Sequence, residues 1–457
     1  MSEEIKNQPQ QQEETVVEKS EKSKTPKKGL IIGIIVGSVV AGFSLLMVLV
    51  VALALIGKNS GNTSDDFAGP VECTHENAQW NVTYEPRCNS EGLRVLFCDD
   101  CNESLETQPV EPIGHSFNDK KCNDCGSIQI ETVEDFYNFC KSTRSGKNYL
   151  GLDVYLMNDI DLTGKTWIPI KGFKGTFDGQ GHKIIGLGVE NLDEEAHGSD
   201  DTIPLYFGLF DNIEGTIRNL GLTDVSFVYS GRYASAIGSL VAYNRGTIEN
   251  CYAEGNISLD LKTSSYRVGG LVGENLGNIS RSYANVQINS SNSSTSLSSG
   301  ASISAGGLVG DNSGGTVSNC YATGDVTARV SSSKNDSTIS IVGGLCGNGG
   351  GMENCYALGN VSGNGRQICY VGALSGTTPS AINCFAAGKA SGSGSKIGDL
   401  CGGYDEVVNC YYLEGGTSKV GTAVDADTLR SAAFQKNSLK LDDSIWNLTD
   451  GSYPTLK

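Results

Sequence analysis

The chain has 457 residues, more than a typical single domain, so more than one structural region is expected. Its 59 glycines and 7% aromatic residues favour short strands joined by tight turns over a dense globular core. The net charge of -18 argues against a nucleic-acid partner, because binding nucleic acid requires Lys and Arg to neutralise phosphates.

The N-terminal part of the sequence predicts a tail followed by a membrane anchor. Residues 1–28 are rich in Gln, Glu and Lys and offer little apolar surface, so they predict a disordered cytoplasmic tail. Residues 29–57 predict a transmembrane helix, because they contain an uncharged run, Leu30–Ile56, long enough to cross about 30 Å of hydrocarbon. Lysines cluster before this run, and Lys58 alone follows it closely. We therefore expect a single-pass protein of the cell membrane whose C-terminal region is extracellular.

Two alternatives concern the same segment. Ala52 to Ala54 offers the small residues of a signal-peptide cleavage site, although the apolar core of a cleaved signal is usually only about 7 to 15 residues. Gly33 and Gly37 have the spacing that lets two membrane helices approach closely, which would give a helix-mediated dimer. Residues 58–70 are polar with Gly, Ser and Pro and predict a flexible linker.

Residues 71–128 form a Cys/His module. They contain two CxxC pairs, and a CxxC turn directs two thiolates at one ion. Sets of four Cys and His ligands suit tetrahedral zinc, and such closed sites leave no position for a substrate, so we predict two structural zinc sites without catalytic activity. The candidate ligands are Cys73, His75, Cys88, Cys98, Cys101, His115, Cys122 and Cys125.

The ligands divide into two sets of four. The expected grouping places His75, Cys88, Cys98 and Cys101 on one ion, and His115, Cys122, Cys125 and Cys73 on the other. Disulfides are the alternative, because the predicted location is oxidising and the number of cysteines is even. The two histidines favour metal, since disulfides give no reason for histidine at ligand spacing.

The module also resembles small Cys/His modules, like a zinc ribbon, that occur in surface proteins of Gram-positive bacteria. The residues that carry this resemblance are Trp80, Thr83, Pro86, Cys88, Gly92, Pro112, Gly114 and His115.

Residues 129–424 are dominated by a repeat whose clearest copy is Ala305–Ala328. A repeat length near 30 residues predicts a solenoid. Each copy contains three short β-like pieces separated by Gly or Asn turns, which predicts an all-β fold of stacked, parallel, three-sided coils. The other copies are Ile237–Ser258, Val268–Ile288, Val342–Ser362, Val371–Ser391 and a shortened one from Ile397.

Each repeat also predicts which side chains point inward. Strand alternation within Thr316–Ala322 sends Val317, Asn319 and Tyr321 to one face and Ser318, Cys320 and Ala322 to the other. The repeat cysteines are expected to be buried small side chains. The Asn before each Cys is expected to stack into a ladder, with an Asn row that faces a ligand as the alternative. The ladder positions are Asn250, Asn319, Asn354, Asn383 and Asn409.

Caps and insertions complete the predicted solenoid. Glu131–Lys141 predicts a short amphipathic helix that is N-capped by Thr132, and Asp425–Phe434 predicts a helix that opens the C-terminal capping segment, residues 425–457. The Ser-rich insertions Asn289–Ser304 and Ala328–Ser340 predict mobile loops on an edge where solenoids often bind partners. The acidic insertion 190–201, which contains His197, predicts a solvated loop, with a cation site as the alternative.

The repeats resemble the GLUG-motif family, which is named for units such as Gly306–Gly310. The segment that commonly precedes such repeats corresponds to Phe173–Ile184. This resemblance implies a right-handed parallel β-helix on a bacterial surface or secreted protein, often an adhesin or the non-catalytic part of an immunoglobulin A peptidase. Those peptidases carry a zinc-binding HExxH motif, and this sequence contains none. We therefore expect that the protein is not an enzyme.

The expected function is that of a membrane-anchored surface protein whose β-helix binds a host or extracellular glycan or protein. A polysaccharide-acting β-helix enzyme and a ligand-free spacer are the alternatives. The enzyme would need paired carboxylates at matching positions of adjacent coils. We expect no such pairs to recur, because Asp311, Asp325 and Asp399 are scattered.

Overall fold

The computed structural model describes residues 73–190, 206–231, 234–263, 265–293, 301–331, 338–365, 367–393 and 396–457. The predicted tail, membrane helix and linker lie outside the described residues, as does most of the acidic insertion with His197. Within the described part of the chain, no helix is long and apolar enough to span a bilayer. Residues His75–Lys457 form one compact unit.

The Cys/His module is an antiparallel sheet followed by a short hairpin. The sheet consists of Ala78–Tyr84, Gly92–Cys98 and Ser104–Val110 in chain order. The hairpin strands Phe117–Asn118 and Lys121–Cys122 lead into Ile128–Ile130, which pairs in parallel with Asp153–Leu156 of the solenoid. The module therefore extends directly into the sheet that forms one side of the coils.

The solenoid has three parallel sheets, and each repeat contributes to all of them in turn. The first sheet contains Tyr206–Phe207, Ala236–Gly238, Ser265–Gly269, Ala301–Gly306, Thr338–Gly343, Ile368–Gly372 and Lys396–Gly398.

The second sheet continues from the module strands. It contains Asp153–Leu156, Thr176–Asp178, Phe210–Ile213, Thr216–Arg218, Val241–Asn244, Thr247–Glu249, Val272–Asn275, Asn278–Ser280, Val309–Asp311, Thr316–Ser318, Cys346–Asn348, Gly351–Glu353, Ser375–Ile382 and Cys401–Val408.

The third sheet follows the Asn-Cys corner of each repeat. It contains Ile160–Asp161, Lys183–Ile185, Gly188–Glu190, Gly221–Gly231, Tyr252–Leu261, Tyr283–Asn292, Tyr321–Ala322, Val326–Val330, Tyr356–Ala357, Val361–Asn364, Phe385–Ala386, Ala390–Ser393, Tyr411–Leu413 and Thr422–Val424.

Equivalent residues of successive coils are register partners, which confirms the predicted parallel β-solenoid. Gly306 pairs with Gly343, and Val317 pairs with Met352 one coil further on. Apolar residues such as Leu308 and Val309 fill the interior and are fully buried. Because the coils stack in register, each interior position repeats along the axis and presents the same side-chain type to its neighbours.

The corner between the second and third sheets corrects the predicted alternation. Thr316–Ser318 and Tyr321–Ala322 are separate strands, and Asn319 between them has a left-handed φ of 52°. This turn breaks the period-two pattern, so that Val317, Cys320 and Ala322 all point inward while Tyr321 packs outside the coil. The prediction that Val317 shares a face with Tyr321 was therefore wrong.

The corner asparagines form the predicted ladder in part. Hydrogen bonds between side-chain amides, from Nδ2 to Oδ1, link successive corners. They join Asn250 to Asn219 at 2.8 Å, Asn383 to Asn354 at 3.0 Å and Asn409 to Asn383 at 2.8 Å. All of these asparagines have left-handed φ values, which Asn tolerates better than most residues. The side-chain amides thus bond to one another, while the Asn residues also suit the left-handed backbone of the turn.

The repeat cysteines are buried, as predicted. Cys251, Cys320, Cys355, Cys384 and Cys410 are each at most 3% exposed. Burial raises the pKa of the Cys251 thiol to about 12, and it raises the pKa values of Cys355 and Cys384 well above the usual range. Cys251, Cys355 and Cys384 therefore stay protonated at neutral pH, and all five cysteines act as small core side chains.

An aromatic stack runs along the outside of the third sheet. Tyr252, Tyr283, Tyr321, Tyr356 and Phe385 lie in successive coils with near-parallel rings 4.7 to 5.0 Å apart. That spacing is the strand separation of a β-sheet, so the coil geometry itself sets the stacking distance. The stack is a direct consequence of the Tyr or Phe that follows the corner in each of these coils.

The C-terminal segment packs against this stack. It contains two short helices, Ala426–Leu429 and Ala432–Asn437, and the strand pair Trp446–Asn447 and Thr455–Leu456. The predicted single helix was wrong, because Ser431 N-caps a second helix at Ala432. Trp446 is buried beside Tyr321 and Tyr356, so the segment folds back along the side of the solenoid over several coils.

At the other end, the helix Val133–Arg144 begins as predicted. Thr132 and Asp135 form a reciprocal capping box, and Phe136, Phe139 and Cys140 bury the inner face of the helix. These side chains join the solenoid core. The helix therefore covers apolar side chains at the first coils.

The Ser-rich insertions begin and end as strands rather than as loops. Residues 289–292 continue the strand Tyr283–Asn292, and 301–304 start the strand Ala301–Gly306. Likewise 328–330 and 338–340 belong to strands that pair with neighbouring coils. The predicted loop boundaries were too wide because Ser fits an in-register polar strand as well as a loop. Residues 294–300 and 332–337 of the two insertions lie outside the described ranges.

The stacking predicts that Gly307→Ala destabilises the protein, because a Cβ there would overlap the main-chain carbonyl of Gly344 in the next coil. We expect a loss of about 1–3 kcal/mol, as for other overpacked cores, visible as a lower melting temperature of the full chain in detergent. Gly351→Ala is the matched control, since a Cβ there meets no atom within 4 Å. Equal melting temperatures for both variants would contradict the close stacking of coils.

Candidate metal centres

The antiparallel sheet of the module places its Cys and His residues at two opposite ends. Ala78 lies opposite Cys98, so the CxH segment before the first strand lies beside the CxxC pair after the second. Cys88 lies in the connection at the other end, where the N–H of Gly114 donates to its carbonyl at 3.1 Å. Strands of seven residues separate the two ends by about 20 Å.

Two groups of ligands result, and within each group the ligand atoms lie within 4.8 Å of one another. The first group is Cys73, His75, Cys98 and Cys101, and the second is Cys88, His115, Cys122 and Cys125. The predicted grouping had Cys73 and Cys88 exchanged and was wrong in that respect. Cys73 belongs with the first group and Cys88 with the second. Both groups are able to hold a metal ion.

The second group is compact and mostly buried. Cys88 Sγ and Cys122 Sγ are 3.7 Å apart, and Cys125 Sγ lies 3.4 Å from Nδ1 of His115. The first distance is much longer than the about 2.05 Å of a disulfide bond. The N–H of Ser127 donates to Cys125 Sγ at 3.4 Å, so the main chain also supports negative charge at this sulfur.

The electrostatics of the second group favour a bound cation. A hydrogen bond from the main-chain N–H of Cys125 lowers the pKa of Cys122 to about 5, so that this thiol is ionised at neutral pH. Burial, followed by the neighbouring thiols, raises the pKa of Cys88 to about 12. A second thiolate beside the first is unfavourable until a cation compensates for it, and a bound metal ion would supply that compensation.

Asp153 joins the second group to the solenoid. Its Oδ2 lies 3.0 Å from Nε2 of His115, and Asn89 Nδ2 donates to the same oxygen at 3.0 Å. The N–H of Asp153 also donates to Ser127 Oγ at 2.9 Å. A carboxylate on the outer nitrogen of a histidine fixes the orientation of the ring and strengthens the inner nitrogen as a ligand. The solenoid thus provides the partner that orients one ligand of this group.

Sequence reasoning missed Asp153. It belongs to the strand Asp153–Leu156 and lies 38 residues after His115. The local pattern gives no signal for this contact, which depends on the parallel pairing of Ile128–Ile130 with the first solenoid strand.

The first group has the same kinds of donors in a more exposed setting. Cys101 Sγ lies 3.5 Å from Nδ1 of His75, and Nε2 of His75 lies 3.9 Å from Glu103 Oε2. Cys98 is buried, whereas Cys101 is exposed. A bound ion would therefore be reached by solvent more easily here than in the second group.

The solenoid also contains a carboxylate pair that we did not expect. Glu274 and Asp311 are register partners in adjacent coils, and Arg267 Nε lies 3.4 Å and 3.6 Å from their side-chain oxygens. The signal was present in the sequence, because the segments VGEN and VGDN place both acids at one repeat position. Arg267 makes this an ion-paired cluster.

A GLUG-motif family model, described as "The GLUG motif", matches residues 233–258, 264–289 and 301–327. These matches coincide with stacked coils of the solenoid. The chain therefore carries GLUG-motif repeats, as predicted, together with a Cys/His module able to hold metal ions.

Three known proteins resemble parts of the chain. "Putative Gly-rich membrane protein" of Evansella cellulosilytica is 34% identical over 122 residues, which cover 24% of this chain and 13% of that protein. "Halomucin" of Haloquadratum walsbyi is 32% identical over 105 residues, which cover 23% of this chain and 1% of that protein. The chain thus spans a small part of both relatives. The crystal structure of "a putative immunoglobulin A1 protease from Bacteroides ovatus" has a TM-score of 0.46 and 20% identity over 73% of this chain and 93% of that one.

The contact to His115 predicts that Asp153→Asn weakens metal binding at the second group by about 10- to 100-fold, as is typical when the partner of a histidine ligand loses its charge. The measurement is competition with a chromophoric chelator on the full chain loaded with Co²⁺. Glu103→Gln is the matched control and should change affinity less, because Glu103 lies 3.9 Å from His75 and is largely exposed. If the chelator removed Co²⁺ from Asp153→Asn no more readily than from the unchanged chain, the role of Asp153 in orienting His115 would be contradicted.

Proposed function

We propose that the protein is a membrane-anchored cell-surface protein that presents its β-helix to an extracellular glycan or protein. The order of the segments along the chain supports this proposal. An uncharged run long enough to cross a bilayer precedes the Cys/His module. The strand Ile128–Ile130 then pairs with the first solenoid strand. Such an arrangement would hold the coils outside the membrane on a rigid base. The relative named as a membrane protein is consistent with this location.

We propose further that the β-helix is not catalytic. Glu274 and Asp311 are a carboxylate pair in adjacent coils, the arrangement that an acid/base site would need, and burial raises the pKa of Glu274. Arg267 contacts both carboxylates and would hold them as ion pairs. A glycosidase needs one carboxyl group that is free to donate a proton, and this arrangement does not favour one.

The ion proposed for both metal groups is zinc. Tetrahedral zinc with usual bond lengths separates two sulfur ligands by about 3.8 Å and a sulfur from a nitrogen ligand by about 3.6 Å. The corresponding distances are 3.7 Å for Cys88 and Cys122, 3.4 Å for Cys125 and His115, and 3.5 Å for Cys101 and His75. Four protein ligands per ion support a structural role in a zinc-ribbon-like module.

Two further features belong to the same proposal. The coils are proposed to wind in a right-handed sense, because parallel strands of one sheet are almost always connected in that hand. Close approach at Gly33 and Gly37 would let two chains associate through their membrane helices.

The zinc proposal predicts two equivalents of zinc per full chain purified without chelator, measured by elemental analysis. Removal of the metal should make the six cysteines of the module reactive toward an alkylating reagent, while Cys320 and Cys355 of the core stay protected by burial. A chain without zinc in which the six module cysteines are oxidised to disulfides would contradict the proposal.

The binding proposal predicts that cells displaying the full chain retain at least one member of a panel of glycans and extracellular-matrix proteins. Cells displaying the chain truncated after residue 128 are the control for binding by the N-terminal part. Retention without sugar release would support a non-catalytic surface binder. Sugar release would favour the polysaccharide-acting alternative, and no retention at all would favour a ligand-free spacer.

A further inference from the structure

One coil departs from the repeat at its corner. The corner position is Asn in the other coils from Asn219 to Asn409, but it is Arg281 in the coil that begins at Val268, and Ser282 replaces the following cysteine. Arg281 keeps the left-handed conformation with φ of 47°. Arg lacks the short amide that suits this conformation, and non-Gly residues held there cost about 1–3 kcal/mol in general. Strain of this kind often accompanies a functional position.

Arg281 lines a polar cleft of about 500 Å³ on the outside of the solenoid. The opposite border of the cleft is formed by the C-terminal segment, including Ile445 and Lys457. The floor is formed by corner and strand residues of the first coils. These residues are Asp178, Arg218, Asn219, Glu249 and Asn250.

The floor of the cleft is a register row of alternating charge. Asp178 pairs with Arg218, and Arg218 pairs with Glu249 in the next coil. Arg218 Nε lies 2.8 Å from Asp178 Oδ2, and Arg281 forms an ion pair with Glu249. Glu249 pairs with Ser280 in the fourth coil, and the corner residue Arg281 beside Ser280 brings a charge to that coil, about 14 Å along the solenoid from Asp178.

This chemistry suits an uncharged polyol better than an anion. A phosphate or sulfate group would meet the carboxylates of Asp178 and Glu249 as well as the arginines. A guanidinium carries five N–H donors in one plane, so an arginine held by one carboxylate still presents donors beside that acceptor. The amides of Asn219 and Asn250 add donors and acceptors in the same row. Neighbouring hydroxyl groups of a sugar need such alternating partners.

The aromatic stack borders the same coils. Tyr252 and Tyr283 follow Asn250 and Arg281 by two residues and are half-buried. Trp446 packs beside Tyr321 and Tyr356, further along the stack. Tyrosine combines an apolar ring with a hydroxyl group, which suits the mixed C–H and O–H surface of a sugar.

We propose that this cleft binds a neutral oligosaccharide chain, oriented along the solenoid axis. This inference rests on the proposed role as a surface binder, and it names both the ligand class and the site. Arg281 is the residue that distinguishes the binding coil from its neighbours, and Arg218, Asn219 and Asn250 provide the remaining polar contacts.

The test uses the full chain in detergent, with soluble dextran, β-glucan and xylan as neutral probes and heparin as the acidic probe. We expect binding of a neutral polymer to change less than about twofold between about 50 mM and about 300 mM NaCl, because no charged ligand is involved. Arg281→Asn should weaken this binding by about tenfold or more, the usual effect of losing a charged hydrogen-bond donor.

Arg281→Asn restores the repeat residue, so its melting temperature should equal or exceed that of the unchanged chain. Arg329→Asn is the matched control, because Arg329 is exposed on the strand Val326–Val330, away from the cleft residues, and should leave affinity unchanged. Neutral-polymer binding that Arg281→Asn does not weaken would overturn the cleft assignment and leave the proposed function standing.

Two other outcomes also overturn the inference. Binding of heparin alone, with a steep loss at high salt, would assign the cleft to acidic chains. Failure of the unchanged chain to bind any of the four polymers would also reject it, and retention of a protein in the display experiment would then preserve the proposed function. If neither experiment found a partner, both proposals would fail.

Discussion

Parallel, in-register stacking of coils is the constraint on which the rest of the structure depends. Each coil exchanges main-chain hydrogen bonds with the next at the strand spacing, so every side chain has a copy of its own position about 4.8 Å away. Equivalent positions of successive coils therefore form a column of side chains. Only side chains that pack well against copies of themselves fit such a column. Planar rings stack, as from Tyr252 to Phe385, and corner amides bond to one another, as Asn250 bonds to Asn219. Small thiols such as Cys320 fill the narrow interior.

The same constraint leaves the solenoid with open edges, and two different solutions close them. At the start, the hairpin of the Cys/His module and the strand Ile128–Ile130 extend the second sheet, and Asp153 ties that strand pairing to His115. A small antiparallel module has little core of its own, so a metal ion held by its Cys/His groups would be an effective way to make it rigid. The C-terminal segment instead folds back over the side, where Trp446 packs against Tyr321 and Tyr356 of the aromatic stack.

How much could be predicted from the sequence follows from the range of the interactions involved. The repeat period and the Asn, Cys and Tyr columns are visible locally, so the solenoid, the ladder and the buried thiols were predictable. The eight candidate ligands were also visible locally, because the CxH and CxxC patterns lie within short segments. Their grouping was not, because it depends on Ala78 lying opposite Cys98 across a hairpin. The sequence also did not predict that Val317 and Cys320 both point inward. That arrangement requires a left-handed corner at Asn319, which simple strand alternation does not take into account.

A residue that differs in type from the equivalent residues of neighbouring coils points to a function, because close stacking otherwise favours the same residue type in every coil. A single Asn-to-Arg change loses two amide contacts, to the coil before and the coil after, and places a long side chain in a left-handed turn. Like charges at adjacent positions would repel, whereas the row Asp178, Arg218 and Glu249 alternates in sign and so remains compatible with close stacking. Arg281, at the corner of the next coil, continues that alternation through its ion pair with Glu249. The in-register stacking that favours the same residue type in every coil therefore also brings the few charged residues of neighbouring coils together into a continuous polar row.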